Sequence, residues 1–188
     1  MASAKRVAVI GLGKHTEIHT ITCLSSKGAL GLVTLKNLVE EGFDVVGFER
    51  NSYIGGLWQY TEQRQTSVLK STVVNVSKER GCFTDFPFPD GTSSYPSAAE
   101  VEQYLLAYAK HFQLESRFRL NTTIVRVTRD DQAAKWTVVA RDAQGKETDI
   151  DVDKVVLANG INRVPNVPIL SNQEAFTGRV LHSVEFKM

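Results

Sequence analysis

The sequence predicts an α/β domain: a parallel sheet opened by a β-α-β unit, with an antiparallel β insertion. Three observations carry this. The apolar run Arg6-Val7-Ala8-Val9-Ile10 ends on Gly11 and has the continuous apolar character of a strand buried on both faces. Residues 30–41 place Leu32, Val33, Leu35, Leu38 and Val39 at helical spacing, with Gly42 behind them as a C-cap. A second short strand, Asp44-Val45-Val46-Gly47-Phe48, then ends on the carboxylate of Glu49.

Residues 51–90 are rich in turn formers and aromatics, punctuated by Gly55-Gly56, Phe86-Pro87-Phe88-Pro89 and Asp90-Gly91. Ser97-Ala98-Ala99-Glu100 is a capping box, and the helix it starts aligns Val101, Tyr104, Leu105, Tyr108 and Phe112 on one core-facing stripe. Strands are expected over 123–128, 136–140 and near 148–152, the last two joined by a hairpin turn at Ala143-Gln144-Gly145-Lys146. Lys154-Val155-Val156-Leu157-Ala158 is a further buried strand closed by Asn159-Gly160, and Pro165 and Pro168 hold the chain extended beyond it.

With 188 residues, 42% apolar and 23% charged, the chain is expected to be one globular domain over 1–188. A net charge of +1 gives no field that would gather nucleic acid or an anionic membrane. No apolar run approaches the ~18 residues a membrane span needs. Cys23 and Cys82 form no CxxC and no disulfide framework, so a reducing, cytoplasmic setting is expected. His15, His19 and Cys23 have helical metal-site spacing, but the stretch is β-branched and lacks a fourth ligand, so no metal is expected. Cys82 reads as a buried small hydrophobe, and Arg129-Asp130-Asp131 as a solvated turn.

A dinucleotide turn needs G-x-G-x-x-G between strand and helix, then an acid about 20 residues on. The contiguous chain has only Gly11-Leu12-Gly13. Residues 14–28 are polar and β-branched, and they are longer than the ~2–6 residues usual for such a connection. Leaving them out gives Gly11-Leu12-Gly13-Ala29-Leu30-Gly31. That restores the motif, the helix entry and the distance to Glu49 together. In the restored Rossmann turn, Gly11 permits the bend, Gly13 admits the pyrophosphate and Gly31 lets the helix pack closely on the sheet. The helix N-terminus offers N–H groups to the phosphates. Glu49 would accept hydrogen bonds from ribose hydroxyls and repel a 2′-phosphate, so the site suits FAD or NAD. Residues 14–28 are therefore expected to be an anomalous insertion in the phosphate-binding loop. Gly13-Lys14 and Lys27-Gly28 can be encoded with splice-donor and splice-acceptor sequences in frame, so a translated intron is the expected origin.

Phe48-Glu49-Arg50, Gly55-Gly56-Leu57-Trp58, Asn75-Val76-Ser77-Lys78-Glu79, the run Phe83-Thr84-Asp85-Phe86-Pro87-Phe88-Pro89 and Phe176-x-Gly178-x-x-x-His182-x-x-x-Phe186 together resemble the flavin-containing monooxygenases, which oxygenate nitrogen and sulfur. The resemblance covers nearly the whole chain apart from residues 14–28. It implies a truncated form of a two-dinucleotide-domain architecture, with the NADPH-binding domain absent. It implies that Gly11, Leu12, Gly13, Ala29, Leu30, Gly31 and Glu49 hold the adenosine and pyrophosphate of FAD. Gly56, Leu57 and Trp58 would line the flavin side. Asn75, followed by Val76, would be the catalytic amide beside flavin and nicotinamide. The implied chemistry uses NADPH and O2 to oxygenate an amine or sulfide through a C4a-hydroperoxyflavin. His182 is expected to be structural. Phe186 stands where Baeyer–Villiger relatives carry Trp, and Asn159 stands where the family usually carries Thr. A Baeyer–Villiger fragment and a non-catalytic flavin-binding stub remain the alternatives.

Overall fold

Parallel pairing around the first strand organises the molecule. The computed structural model describes residues 6–10, 12–17, 28–160 and 165–187. In chain order the elements are β1 (Arg6–Ile10), β2 (Leu12–Glu17), α1 (Ala29–Glu40), β3 (Asp44–Phe48), α2 (Lys78–Gly81), α3 (Ala98–His111), β4 (Phe118–Arg119), β5 (Thr123–Asp130), β6 (Lys135–Arg141), β7 (Glu147–Val152) and β8 (Lys154–Leu157). One sheet has the order β4-β3-β1-β8 and is parallel throughout, with Ile10 level with Phe48 on one side and Leu157 on the other. The second sheet has the order β2-β5-β6-β7, antiparallel except where β2 lies parallel to β5 along its edge.

The alternation along β3 shows how the layers stack. Val45 belongs to a core shared with Leu32, Leu35, Leu105, Tyr108 and Phe118, whereas Val46 and Phe48 join Ile124, Val138, Ala140 and Val152. Successive side chains of a strand point to opposite faces. The parallel sheet is therefore covered by α1 and α3 on one face and by the β5–β7 meander on the other. Gly47 is where the helical layer comes closest: a Cβ there would run into the Phe118 ring and lie 3.1 Å from Leu35 Cδ1.

The helices end as their sequences dictate. Gly42 adopts φ +82°, its N–H bonds Val39 O at 3.0 Å, and Phe43 N–H bonds Leu38 O at 3.0 Å. This is a Schellman stop that a residue with a side chain would strain. Around α3 the expected capping box is complete. Glu100 Oε2 accepts from Ser97 N and Ser97 Oγ at 2.7 Å each, and Glu100 Oε1 accepts from Ser93 N and Ser93 Oγ at 3.0 Å each. The Ser93 and Ser97 amides hold the Glu100 carboxyl down at about 2. Since the native value lies below the ordinary ~4.3, this contribution to stability is present above that pH and lost as pH falls toward 2. Glu100→Gln is accordingly expected to flatten the decline in urea midpoint between about pH 5 and 2. A decline as steep as that of the unmodified chain would show that the acid sensitivity arises elsewhere.

Three elements were not foreseen: β2, the two-residue β4 and the single-turn α2. Residues 14–17, read from the sequence as the start of a polar insertion, belong to β2. Only Thr16 among them is β-branched, so it is pairing with β5 and not local propensity that makes them a strand.

Candidate functional site

The carboxyl ends of the parallel strands form the candidate cofactor crevice. The chain builds β1, β3 and β4 outward in one direction and returns to place β8 on the other side of β1. The order therefore reverses between β1 and β8, which is where doubly wound sheets bind ligands.

Glu49 lies one residue beyond β3 and is only 5% exposed. Its backbone is clamped on one side, its N–H donating to Arg119 O at 3.0 Å and its C=O accepting from Thr122 N at 2.8 Å. Its Oε1 accepts from Asn51 N at 2.9 Å. Burial, followed by the nearby Glu49 charge, raises the Tyr53 hydroxyl above its ordinary range. The position is thus a fixed, sheltered carboxylate at a strand end.

At the same end of the sheet, α1 starts at Ala29 behind Gly28, with no side-chain cap and no acid in its first turn. Leu32 N–H reaches Gly28 O at 3.2 Å, leaving the first-turn amides ahead of it available to an anion. Gly31 is buried against the sheet, Ala29 is half-buried and Leu30 is exposed. Gly11 lies outside the described residues. Leu12 and Gly13 are in β2, where Leu12 pairs with Ile124 and Glu17 with Arg126 of β5. Gly13 and the helix N-terminus are thus carried on separate elements, with residues 18–28 between them. His15 also falls in β2, whereas His19 and Cys23 lie outside the described residues. Among the described residues no group of His, Cys, Asp and Glu could hold a metal.

The flavin-side candidates gather elsewhere. Gly55 (φ +127°) and Gly56 (φ +59°) make a turn closed to side-chain-bearing residues, and Trp58 N–H bonds Gly55 O at 3.1 Å. Residues 72–78 are pinned to the approach of α3: Val74 N–H to Pro96 O at 2.8 Å, Lys78 N–H to Ser94 O at 2.9 Å, and Ala98 N–H to Thr72 O at 2.8 Å. This brings Ala29, Trp58 and Val76 around one largely apolar cavity of about 140 Å³, walled also by Ser77, Phe88 and Tyr104. Leu57 is more exposed, and Asn75, between two cavity residues, faces solvent.

Sequence reasoning missed the far wall. Tyr104 was assigned to the core, and it is buried there. Its hydroxyl also accepts from Phe83 N at 2.7 Å and donates to Phe86 O at 2.6 Å, holding the 83–86 turn in place. Burial pushes that hydroxyl up to about 12. The same turn is tied to α1 by Lys36, buried and paired with Asp85 and with Glu40 (2.6 Å), its Nζ 5.0 Å from the Phe112 ring centre. Cys82 is half-buried rather than fully enclosed. His182 Nδ1 caps the turn that follows it by accepting from Val184 N at 3.1 Å, a structural use. Nearby, Lys187 Nζ donates to Gln65 O and Ser67 Oγ at 2.8 Å each, and Arg64 pairs with Glu185, fastening residues 183–187 to the 64–67 loop.

Comparison with known proteins agrees with this architecture. The chain is 45% identical over 161 residues to monooxygenase aurF of Gibberella zeae, covering 85% of this chain and 31% of that one. It is 34% identical over 191 residues to flavin-containing monooxygenase 5 of Rattus norvegicus, covering 97% and 33%. The chain therefore spans about a third of the length of these curated relatives. Among solved structures, S-allyl-L-cysteine S-oxygenase from Allium sativum superposes with a TM-score of 0.84 at 28% identity, covering 99% of this chain and 43% of that one. A flavin monooxygenase from Stenotrophomonas maltophilia, at 23% identity, superposes with a TM-score of 0.75 over 99% of this chain and 47% of that one, and shares the fold. The family described as FMO-like, flavin-binding monooxygenase-like, matches residues 4–188. By sequence over its whole described length, and by a fold in which a parallel dinucleotide-type sheet carries an antiparallel meander, the chain belongs to the flavin-binding monooxygenase family.

Proposed function

We propose that this chain is the FAD-binding portion of an NADPH-dependent monooxygenase that transfers one oxygen of O2 to a soft nucleophile, an amine or a sulfide. The observation that carries the proposal is the buried Glu49 carboxylate just past β3, at the same end of the parallel sheet as the N-terminus of α1, which has no side-chain cap. That pairing fits a dinucleotide: a fixed acceptor for ribose hydroxyls next to free amides for phosphate. Glu49 would hold the ribose, and the first turn of α1, with Ala29, Leu30 and Gly31, would face the pyrophosphate. Gly11, Leu12 and Gly13 would complete the phosphate turn in a form lacking residues 14–28, where Gly13 precedes Ala29 directly. Gly56, Leu57, Trp58, Asn75 and Val76 would border the ring system. FAD, when bound, supplies the redox and oxygen chemistry that the protein side chains lack. The apolar walls of the neighbouring cavity exclude water, and the Asn75 amide can donate or accept a hydrogen bond at the ring edge. The 188 residues taken alone are proposed to bind flavin rather than to turn over NADPH, since one candidate dinucleotide turn serves one nucleotide.

The pairing of Leu12 with β5, in a strand that also contains Gly13, favours a second reading, a non-catalytic flavin-binding stub. Rapid saturable flavin reduction by NADPH in stopped flow would exclude the stub and would also overturn the expectation that the 188 residues alone do not turn over NADPH. Among the described residues no helix is long and apolar enough to cross a membrane, and a cytoplasmic site of action is part of the proposal.

The test of the FAD site is Glu49→Ala, made in a form lacking residues 14–28. Losing a charge-assisted hydrogen bond of ~1.5–3 kcal/mol should weaken FAD binding roughly ten- to a hundredfold. An unchanged dissociation constant would remove Glu49 from the ribose site.

A further inference from the structure

The C-terminal segment stands clear of the domain for most of its length and returns to it at the end. Every residue from 166 to 181 is exposed, and Val167, Ile169, Phe176 and Val180 are each more than half exposed. Burial returns at His182, Val184, Glu185 and Lys187, which are half-buried. There Lys187 Nζ donates to Gln65 O and Ser67 Oγ at 2.8 Å each, and Glu185 pairs with Arg64. Partial burial lowers the Lys187 ammonium below the ordinary lysine range. A long flexible side chain is thus held in one pose and partly desolvated, two costs that a freely solvated lysine avoids.

The loop that Lys187 grips touches both halves of the candidate FAD site. On the Glu49 side, Gln65 Nε2 donates to the Tyr53 hydroxyl at 3.1 Å, and that hydroxyl feels the Glu49 charge. On the flavin side, Val68 N–H donates to Leu57 O at 2.8 Å, within the single turn Gly56–Trp58 that carries Trp58 to the cavity wall. Ser67 and Val68 are consecutive, so one residue separates the Lys187 contact from the bond that seats Leu57.

We infer that Lys187 is a positioning residue for the flavin-side wall: by gripping residues 65–67 it sets the place of Leu57 and Trp58, and so couples the C-terminal segment to the cofactor site. The inference rests on the FAD-site reading above and deepens it, since the geometry of that wall then depends on a residue outside it. A lysine that only fastens a chain end would, when lost, change stability or nothing; a positioning lysine changes how the flavin ring is held.

The experiment compares the full chain with Lys187→Met, which keeps the stem and loses the donors, and with Lys187→Arg, which keeps a cation and its donors. FAD and ADP dissociation constants, the visible circular dichroism of bound flavin and the ligand-free melting temperature are measured for each. Lys187→Met should bind FAD roughly three- to tenfold more weakly, the scale of one displaced hydrogen bond. Its flavin dichroism should change, while ADP affinity and melting temperature stay close to those of the unmodified chain, because ADP does not reach the flavin-side wall. Lys187→Arg should recover most of the FAD affinity and the dichroism. Equal losses with FAD and ADP would place the effect on the Tyr53 side and overturn the flavin-side assignment. Unchanged FAD affinity and dichroism in Lys187→Met, alongside weakened binding in Glu49→Ala, overturn the inference and leave the FAD site standing. Lowered melting without a flavin-specific loss assigns Lys187 to stability alone and also overturns it. Failure of the full chain to bind either ligand removes the FAD site and the inference together.

Discussion

Removing residues 14–28 is expected to tighten FAD binding by on the order of a hundredfold while leaving the domain folded. The gain comes from geometry at one turn. A pyrophosphate is held by several backbone N–H groups presented together by a strand end and a helix N-terminus. In the present chain Leu12 and Gly13 are committed to β2, away from the uncapped start of α1. Without the segment, Gly13 precedes Ala29 directly, and the turn can form. Two recovered hydrogen bonds to a charged phosphate, at ~1.5–3 kcal/mol each, are enough for the effect even after part is spent ordering the loop. Folding should change little, because loop-closure entropy grows only with the logarithm of loop length. Titration of the two proteins with FAD, followed by flavin fluorescence, measures it. Equal affinities would show that the segment lies clear of the phosphate site.

Leu35→Ala is expected to be the most damaging single substitution in stability. Leu35 is fully buried on α1, where that helix meets β3 and the Phe118 ring. Leu35 Cδ1 lies 3.1 Å from where a Cβ on Gly47 would stand, so its truncation opens a void directly over β3. Truncating such a leucine costs about 2–5 kcal/mol, and a domain of this size loses roughly 2–4 °C per kcal/mol. A melting temperature lower by about 5–15 °C is therefore expected, against almost none for Leu106→Ala on the exposed side of α3. A drop as small as that of Leu106→Ala would mean that α1 is not packed on the sheet as described. Because α1 also presents its N-terminus to the cofactor crevice, weakened FAD binding should accompany the loss.

The parts legible in the sequence were those whose signals are local. β1, α1 and β3 each carry their own periodicity and stop signals, and the Ser97–Glu100 box announces α3 within four residues. β4 could not be read, because a two-residue strand has no pattern; it exists because Phe118 and Arg119 fall beside Gly47 and Phe48. β2 could not be read either: Leu12-Gly13-Lys14-His15-Thr16-Glu17 has one β-branched residue, and it is the edge of β5 that gives it a partner. For the candidate site, motif position singles out Glu49 and Trp58; the structure places the first past the end of β3 and the second on the cavity wall. Phe88 and Tyr104 were not assigned to the cavity, because side chains far apart in sequence share it and each reads as ordinary core. Asn159 could be singled out only as a departure from the family pattern.

The pairing of β2 with β5 has a consequence for how the molecule behaves in company. β5 is bonded to β6 on one side, and on the other, among the described residues, β2 is the strand that pairs with it. A shortened chain whose Leu12 and Gly13 return to the phosphate turn would leave that flank of β5, from Ile124 to Arg126, with unmet amides and carbonyls. Uncovered strand edges recruit strands from neighbouring molecules. The segment that weakens the cofactor site would then also be the one that keeps each copy of the protein apart from the next.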